Sequence, residues 1–408
     1  MRDKALPAVP MPGSIAWPAV AVVYAAAFVQ GMTLVSFPAL SAVLKETLGL
    51  SDAAYGAIFL PQVACAVLGA LAGGSLARKL GLRALLALAL AGNGLSQGLL
   101  AATAMLPGST GITVLFVGTA CLGLGFGLSG APINSYPRLL FPEKGEPALV
   151  AAHTLIGLGL ATAPLAAAPL IEAGSWASLP LLLALVCAAL AAAVLITALP
   201  QPADVTTGAS HPRPPVAAPL FWLFAAITVV YAFAEGTFAN WAVIYLRDNR
   251  GLPEMTAGLA LSAFWGAIVA GRLLITLLVV YIPARVIWLT LPCLMIAAFW
   301  LLPLADSALT GIGFFALAGL ACSAFLPLTI SLAVERFPQA VAWVSSMLIA
   351  ALMVGVGIGS WLVGALQAAL PLETLYRLSS AYPLTVLLLA GLVVRSAAAH
   401  RAGPAPAQ

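Results

Sequence analysis

PLFWLFAAITVVYAFAEGTFANWAVIYL, residues 219–246, is an unbroken apolar run with a single charged residue, Glu235. Coiled as a helix at 1.5 Å per residue it is about 42 Å long, more than the roughly 30 Å of a bilayer's hydrocarbon core. Similar runs recur along the chain, and we place twelve spans, at approximately 17–41, 53–77, 84–106, 112–136, 147–171, 178–199, 219–246, 255–281, 285–304, 308–334, 340–366 and 378–396. Lipid offers backbone amides no partners and the alternation of barrel strands is absent, so the expected fold is all-α and integral to a membrane. Composition agrees: of 408 residues 62% are apolar and 7% charged, where a soluble chain carries roughly a quarter charged.

The remaining charge reads as topology. A net charge of +4 without a basic cluster excludes a nucleic-acid partner. Of the 17 basic residues, thirteen fall on the side of the termini. Four, Lys45, Arg247, Arg250 and Arg377, fall on the other. The positive-inside rule then puts both termini in the cytoplasm of a bacterial-type inner membrane. The basic start, Arg2 and Lys4, runs into a full-length span, not a cleavable signal. Five cysteines lie within apolar stretches without CxxC or a neighbouring histidine, so no metal or cofactor is expected. Gly125-Phe126-Gly127-Leu128-Ser129-Gly130 spells the dinucleotide fingerprint, but no strand precedes it and close helix packing explains its glycines. No HExxH, acid cluster or Ser/His/Asp arrangement appears at one depth, so an enzyme is not expected.

Between spans six and seven, PQPADVTTGASHPRPPVAAP (200–219) is a Pro-rich linker. It divides the chain into a six-helix bundle at 1–199, the linker at 200–218 and a second six-helix bundle at 219–408. The halves echo one another. Gln30-Gly31 answers Glu235-Gly236, Gly49-Leu50 answers Gly251-Leu252, Leu140-Phe141-Pro142 answers Arg336-Phe337-Pro338, and Gly157-Leu158-Gly159 answers Gly355-Val356-Gly357. Repeats of this kind are common in transporters, whose substrate site lies between the two bundles near the midplane.

The loop after span two, Gly74-Ser75-Leu76-Ala77-Arg78-Lys79-Leu80-Gly81-Leu82-Arg83, resembles the major facilitator signature Gly-x-x-x-Asp-Arg-x-Gly-x-Arg. Residues 134–159, with Asn134, His153 and Gly157, and residues 236–272, ending in Arg272, resemble the fucose permease-like branch of that superfamily. The resemblance implies alternating access by two pseudo-symmetric six-helix bundles. It also implies a cytoplasmic gate at Gly74, Arg78, Lys79, Gly81 and Arg83. This chain departs where Arg78 occupies the Asp position of the gate's charge relay. It departs again where the branch's acids in spans one and four fall at about Gly31 and Ser129.

One acid remains deep in a span. Glu235 lies roughly 16 Å below the outer boundary, where an ionised carboxylate costs on the order of 3 kcal/mol and must pair, protonate or face water. Tyr231, Phe238 and Tyr245 share its helix face, with Trp241 at the edge; aromatics around a carboxylate suit a sugar or polyol, and equally plain packing. Gln30 holds the repeat position of Glu235, and Asn93 and Gln97 share a face of span three, as hydroxyl binders or as interhelical glue. Arg272 sits about 9 Å along the axis from Glu235 and is expected to snorkel to the cytoplasmic interface. His153 is expected as an interfacial histidine.

The expected function is transport of a small solute by alternating access, as proton-coupled uptake of a sugar-like compound by a monomer in contact with lipid. Efflux of an amphipathic metabolite, drug or siderophore is the rival within transport. A membrane sensor or scaffold that no longer transports is the rival outside it.

Overall fold

The computed structural model of the protein describes residues 16–106, 108–201 and 215–401. The first half comprises α1 (Trp17–Ala39), the short α2 (Ser41–Leu48) and α3 (Asp52–Ala57), α4 (Phe59–Ala102), α5 (Gly108–Leu140), α6 (Gly145–Glu172) and α7 (Ser178–Ile196). The second comprises α8 (Pro219–Ile244), a π turn at Tyr245–Asn249, α9 (Glu254–Leu278), α10 (Ala284–Leu301), α11 (Ala308–Cys322), α12 (Phe325–Arg336), α13 (Val341–Leu366), α14 (Leu372–Ser379) and α15 (Ala381–Arg401). No strand occurs among the described residues. Of the expected linker, residues 202–214 lie outside the described residues.

Eleven helical stretches of the described residues are long and apolar enough to cross a membrane, against twelve expected. The difference is Asp52–Met105, which runs 54 residues as one stretch. At 1.5 Å per residue that is about 80 Å, enough for two crossings. They join at Gly81, whose φ of 81° and ψ of 157° interrupt the helix in a region that side chains with a Cβ avoid. Gly81→Ala should therefore lower stability by about 1 kcal/mol or more, seen as a fall in Tm of the solubilised protein; an unchanged Tm would show that the turn relaxes freely.

The two halves are pseudo-symmetric in detail. Gly49 and Gly251, which close corresponding segments, both take left-handed backbone, with φ of 63° and 66°. Phe141 and Phe337 have φ of −130° and −128°, and each leads into a single 3-10 turn that begins at the following proline. Gly31 backs on to Ile156 and Leu160 of α6 as Gly236 backs on to Val356 and Ser360 of α13. These contacts confirm Gln30 as the counterpart of Glu235. They also correct the later alignment: Gly159 packs on α1 as Gly359 packs on α8, so Gly157 answers Gly357, not Gly355.

Leucines 181, 182 and 185 of α7 are among many large apolar side chains left exposed, as expected of a surface solvated by lipid. The protein is integral to the membrane. The halves meet along two seams. In one, α6 packs on α9, with Gly157 against Val269 and Gly258 against Pro164 and Ala168. In the other, α3 and the start of α4 pack on α13, where a methyl at Gly56 would meet the Ser360 carbonyl at 2.8 Å.

Candidate functional site

The site begins with a proline. A helix through span ten would bond the residue 327 amide to the carbonyl of Ser323, but Pro327 has no N–H and its ring crowds that carbonyl. The span accordingly breaks into α11 and α12 at Ser323-Ala324. Side chains from two other helices serve the exposed carbonyls. Arg272 Nε, from α9, donates to Ser323 O at 3.0 Å. Tyr231 Oη, from α8, donates to Cys322 O at 2.9 Å. The Tyr231 ring stacks on Phe325, the first residue of α12, with centroids 4.7 Å apart. Trp288 stacks on Phe325 as well and donates its Nε1–H to Thr329 at 2.8 Å.

Glu235 lies one turn beyond Tyr231, with its Oε2 in hydrogen-bonding contact with Tyr231 Oη. It is half-buried, and Arg272 is exposed. Arg272 is thus tied through Nε to a carbonyl that Pro327 leaves free. The field of Arg272 acts on Glu235, Tyr231 and His153 alike, yet among the described residues it makes no ion pair.

Across the α6–α9 seam, His153 and Asn134 form the facing wall. Asn134 commits its Nδ2 to Gly130 O at 2.7 Å, so its Oδ1 accepts at 3.0 Å from His153 Nε2–H, which fixes the tautomer. One turn from His153, Gly157 touches Val269, one turn from Arg272. The same stripe of α9 carries Trp265 and Ser262, whose buried Nε1 and Oγ have no hydrogen-bond partner among the described residues. Sequence reasoning passed over Pro327, Trp265 and Ser262. The spacing of Gly258, Ser262, Trp265, Val269 and Arg272 is the signal that groups the α9 members.

The other expected residues divide by location. Phe238, Trp241 and Tyr245 are fully buried within the packed interior. Phe238 stacks on Phe299, Trp241 donates to Ser360 O, and Tyr245 packs on Tyr376. Their shared helix face is thus a packing face, with Tyr231 alone reaching the acid. In the first half Asn93 Nδ2 donates to Gln30 Oε1 at 2.8 Å, and Gln97 Nε2 donates to Ser36 Oγ at 2.9 Å. All three amides are buried and tie α1 to the second crossing of α4, as interhelical polar contacts do.

The gate loop and the opposite end of the molecule differ sharply. Arg78, Lys79 and Arg83 are exposed, and none makes an ion pair among the described residues. At the opposite end, Arg247 pairs with Glu46 at 2.7 Å and Lys45 with Asp248 at 3.6 Å, both between halves. Arg247 also lies 3.4 Å from Glu254, and Arg250 pairs with Glu373 at 3.8 Å. Just inside them Tyr55 Oη donates to Asn240 O at 2.8 Å, again between halves. Among the described residues, every hydrogen bond or ion pair linking the halves belongs to this end.

Two repeated six-helix bundles, a broken span and a polar cluster where the halves meet define a secondary transporter. Residues 19–316 match the Major Facilitator Superfamily, and the chain belongs to that family. It is a transporter and not an enzyme. A search of curated proteins by sequence finds no match. Solved structures show the fold. The nucleoside transporter NupG superposes with a TM-score of 0.76 at 14% identity, covering 92% of this chain and 99% of that one. A D-xylose–proton symporter gives 0.72 at 15%, covering 92% and 97%. FucP, a major facilitator transporter solved in the outward conformation, gives 0.58 at 16%, covering 91% and 98%.

Proposed function

We propose that this protein is a proton-coupled uptake transporter for a small hydroxylated, sugar-like solute, with Glu235 as the proton site. The observation that carries the reading is a count of hydrogens. Tyr231 Oη has one, yet it faces both Cys322 O and Glu235 Oε2. While Tyr231 caps the carbonyl exposed by the helix break, Glu235 must itself donate to Tyr231 Oη, and so carry a proton. When Glu235 ionises it claims the tyrosine hydrogen, and the Cys322 carbonyl loses its donor. Protonation of Glu235 is thereby tied to the geometry of the broken span.

With both termini in the cytoplasm, as the charge distribution argues, the ion-paired end faces outward. Outward opening then requires the Lys45–Asp248 and Arg247–Glu46 pairs to part. The unpartnered Trp265 Nε1 and Ser262 Oγ suit solute hydroxyls. Efflux of an amphipathic compound rested on the aromatic face of α8 and on the missing acids of the sugar symporters; the face is buried in packing, which leaves Gly31 and Ser129 at the acid positions as its remaining support. A D-xylose–proton symporter among the structural relatives is in keeping with sugar and proton moving together. The test is proteoliposomes loaded with a pH-sensitive dye. A solute that binds should acidify the lumen as it enters, and entry without acidification would overturn the coupling.

A further inference from the structure

We propose that the solute carries a carboxylate, which the free guanidinium fork of Arg272 binds with His153 facing it across the seam, so that the natural substrate is a small sugar-acid-like hydroxycarboxylate. The inference rests on the transport reading above and names its substrate class.

The helix break fixes Arg272 in place. Its Nε is committed to Ser323 O at 3.0 Å, which anchors the guanidinium and leaves Nη1 and Nη2 for a ligand. The side chain is exposed, and among the described residues no acid lies within ion-pairing distance. An unpaired cation inside a membrane span is costly and marks a solute or ion path. A guanidinium held by one nitrogen offers its remaining pair as a planar fork, the geometry that matches a carboxylate with two parallel hydrogen bonds.

The surroundings favour one negative charge. His153 faces Arg272 across the α6–α9 seam, and its Nε2–H is spent on Asn134. Its Nδ1 is then an acceptor, which suits a hydroxyl of the solute and not its carboxylate. Arg138, the other cation acting on His153, is already paired with Glu146 at 2.9 Å. The amino end of α12 begins one residue past the Ser323-Ala324 break and has no side-chain cap, so its positive end lies beside the same carbonyl. One guanidinium fork matches a single carboxylate; a phosphate dianion would call for more cation than this. Trp265 Nε1 and Ser262 Oγ, farther along the same stripe of α9, remain for hydroxyls.

The charge arrangement also couples the two ligands. Glu235, which faces Tyr231, Cys322 and Arg272, supplies the negative field felt by Arg272 when ionised. Once Glu235 is protonated, Arg272 lacks that field and binds an anion more tightly. By reciprocity the anion favours the proton.

The test is calorimetry on the purified full-length protein with D-galacturonate, D-gluconate, D-galactose and inorganic phosphate as probes. An acid should bind at least tenfold more tightly than galactose, and more tightly as pH falls through the range in which Glu235 gains its proton. Arg272→Gln keeps an amide able to donate to Ser323 O while removing the charge. It should weaken acid binding tenfold to a hundredfold, as loss of a charge-assisted contact does, and weaken galactose binding less, so that the acid-to-galactose ratio falls. Arg272→Lys should recover only part of the affinity. Galactose binding as tightly as either acid, phosphate preferred over both, no binding by either acid, or an acid-to-galactose ratio unchanged in Arg272→Gln would each overturn the proposal. Loss of the acid preference with solute-driven lumen acidification intact would remove only the carboxylate. Acid preference without acidification would remove only the proton coupling.

Discussion

Glu235→Gln is expected to abolish accumulation of solute against its gradient while leaving exchange of solute for solute intact. The glutamine amide can donate to Tyr231 Oη as a protonated carboxyl would, leaving the tyrosine hydrogen for Cys322 O. The variant is therefore locked in the proton-loaded arrangement. With one proton per solute, a gradient of one pH unit supplies about 1.4 kcal/mol and supports up to about tenfold accumulation. In the variant the ratio should fall to about one, and the pH dependence of binding should vanish with it. Counterflow in proteoliposomes without a pH gradient should proceed at a rate comparable to the parent protein. A variant that still accumulates solute with the parent pH profile would leave Glu235 a binding or structural residue and move the coupling elsewhere.

What the sequence made visible follows from which interactions are local. Each span is written in its own apolar run, so the boundaries of α6, α9 and α13 could be read to within three residues, while α5 runs four residues beyond its expected span at each end. Glu235 stood out because a carboxylate in a lipid-length run has few tolerable environments. Periodicity showed that Phe238 and Tyr245 share a face with Glu235, but not that the face turns toward Phe299 and Tyr376. That depends on the partner helices, which no local pattern encodes. The repeat could be found but its register could not. Gly355, Gly357 and Gly359 recur every second residue, so either neighbouring pair matches Gly157 and Gly159 until contacts with α1 and α8 decide. The anchor of Arg272 stayed hidden for a related reason. Its anchor is a carbonyl freed by Pro327, 55 residues later, and the apolar run around that proline looks unbroken as text.

Glu46→Lys is expected to open the ion-paired end, and Arg247→Glu on the same background to close it again. In the structure Arg247 meets Glu46 at 2.7 Å and Lys45 meets Asp248 at 3.6 Å, and these pairs join the halves where α2 approaches the end of α8. Each is partly solvent-exposed, so each contributes only about 0.5–1 kcal/mol after screening. The substitution does more than delete a pair, because it sets a lysine against Arg247 and replaces attraction with repulsion. A change of about 1–2 kcal/mol between two conformations alters their ratio roughly fivefold to thirtyfold. That is enough to be decisive here, because the gate loop at the other end puts Arg78 where the family has an acid and, among the described residues, makes no ion pair to oppose it. Spin labels at Ala53→Cys and Ala368→Cys, on a background without the five native cysteines, flank the α3–α13 seam and report its separation. Glu46→Lys should add a longer-distance population that shrinks with rising salt. The charge-reversed double variant should restore the short distance. Should the single variant keep the parent distance distribution at low salt, the glycine packing of Gly56 and Gly364 against the facing helix would suffice to hold this end shut, and the ion pairs would be bystanders.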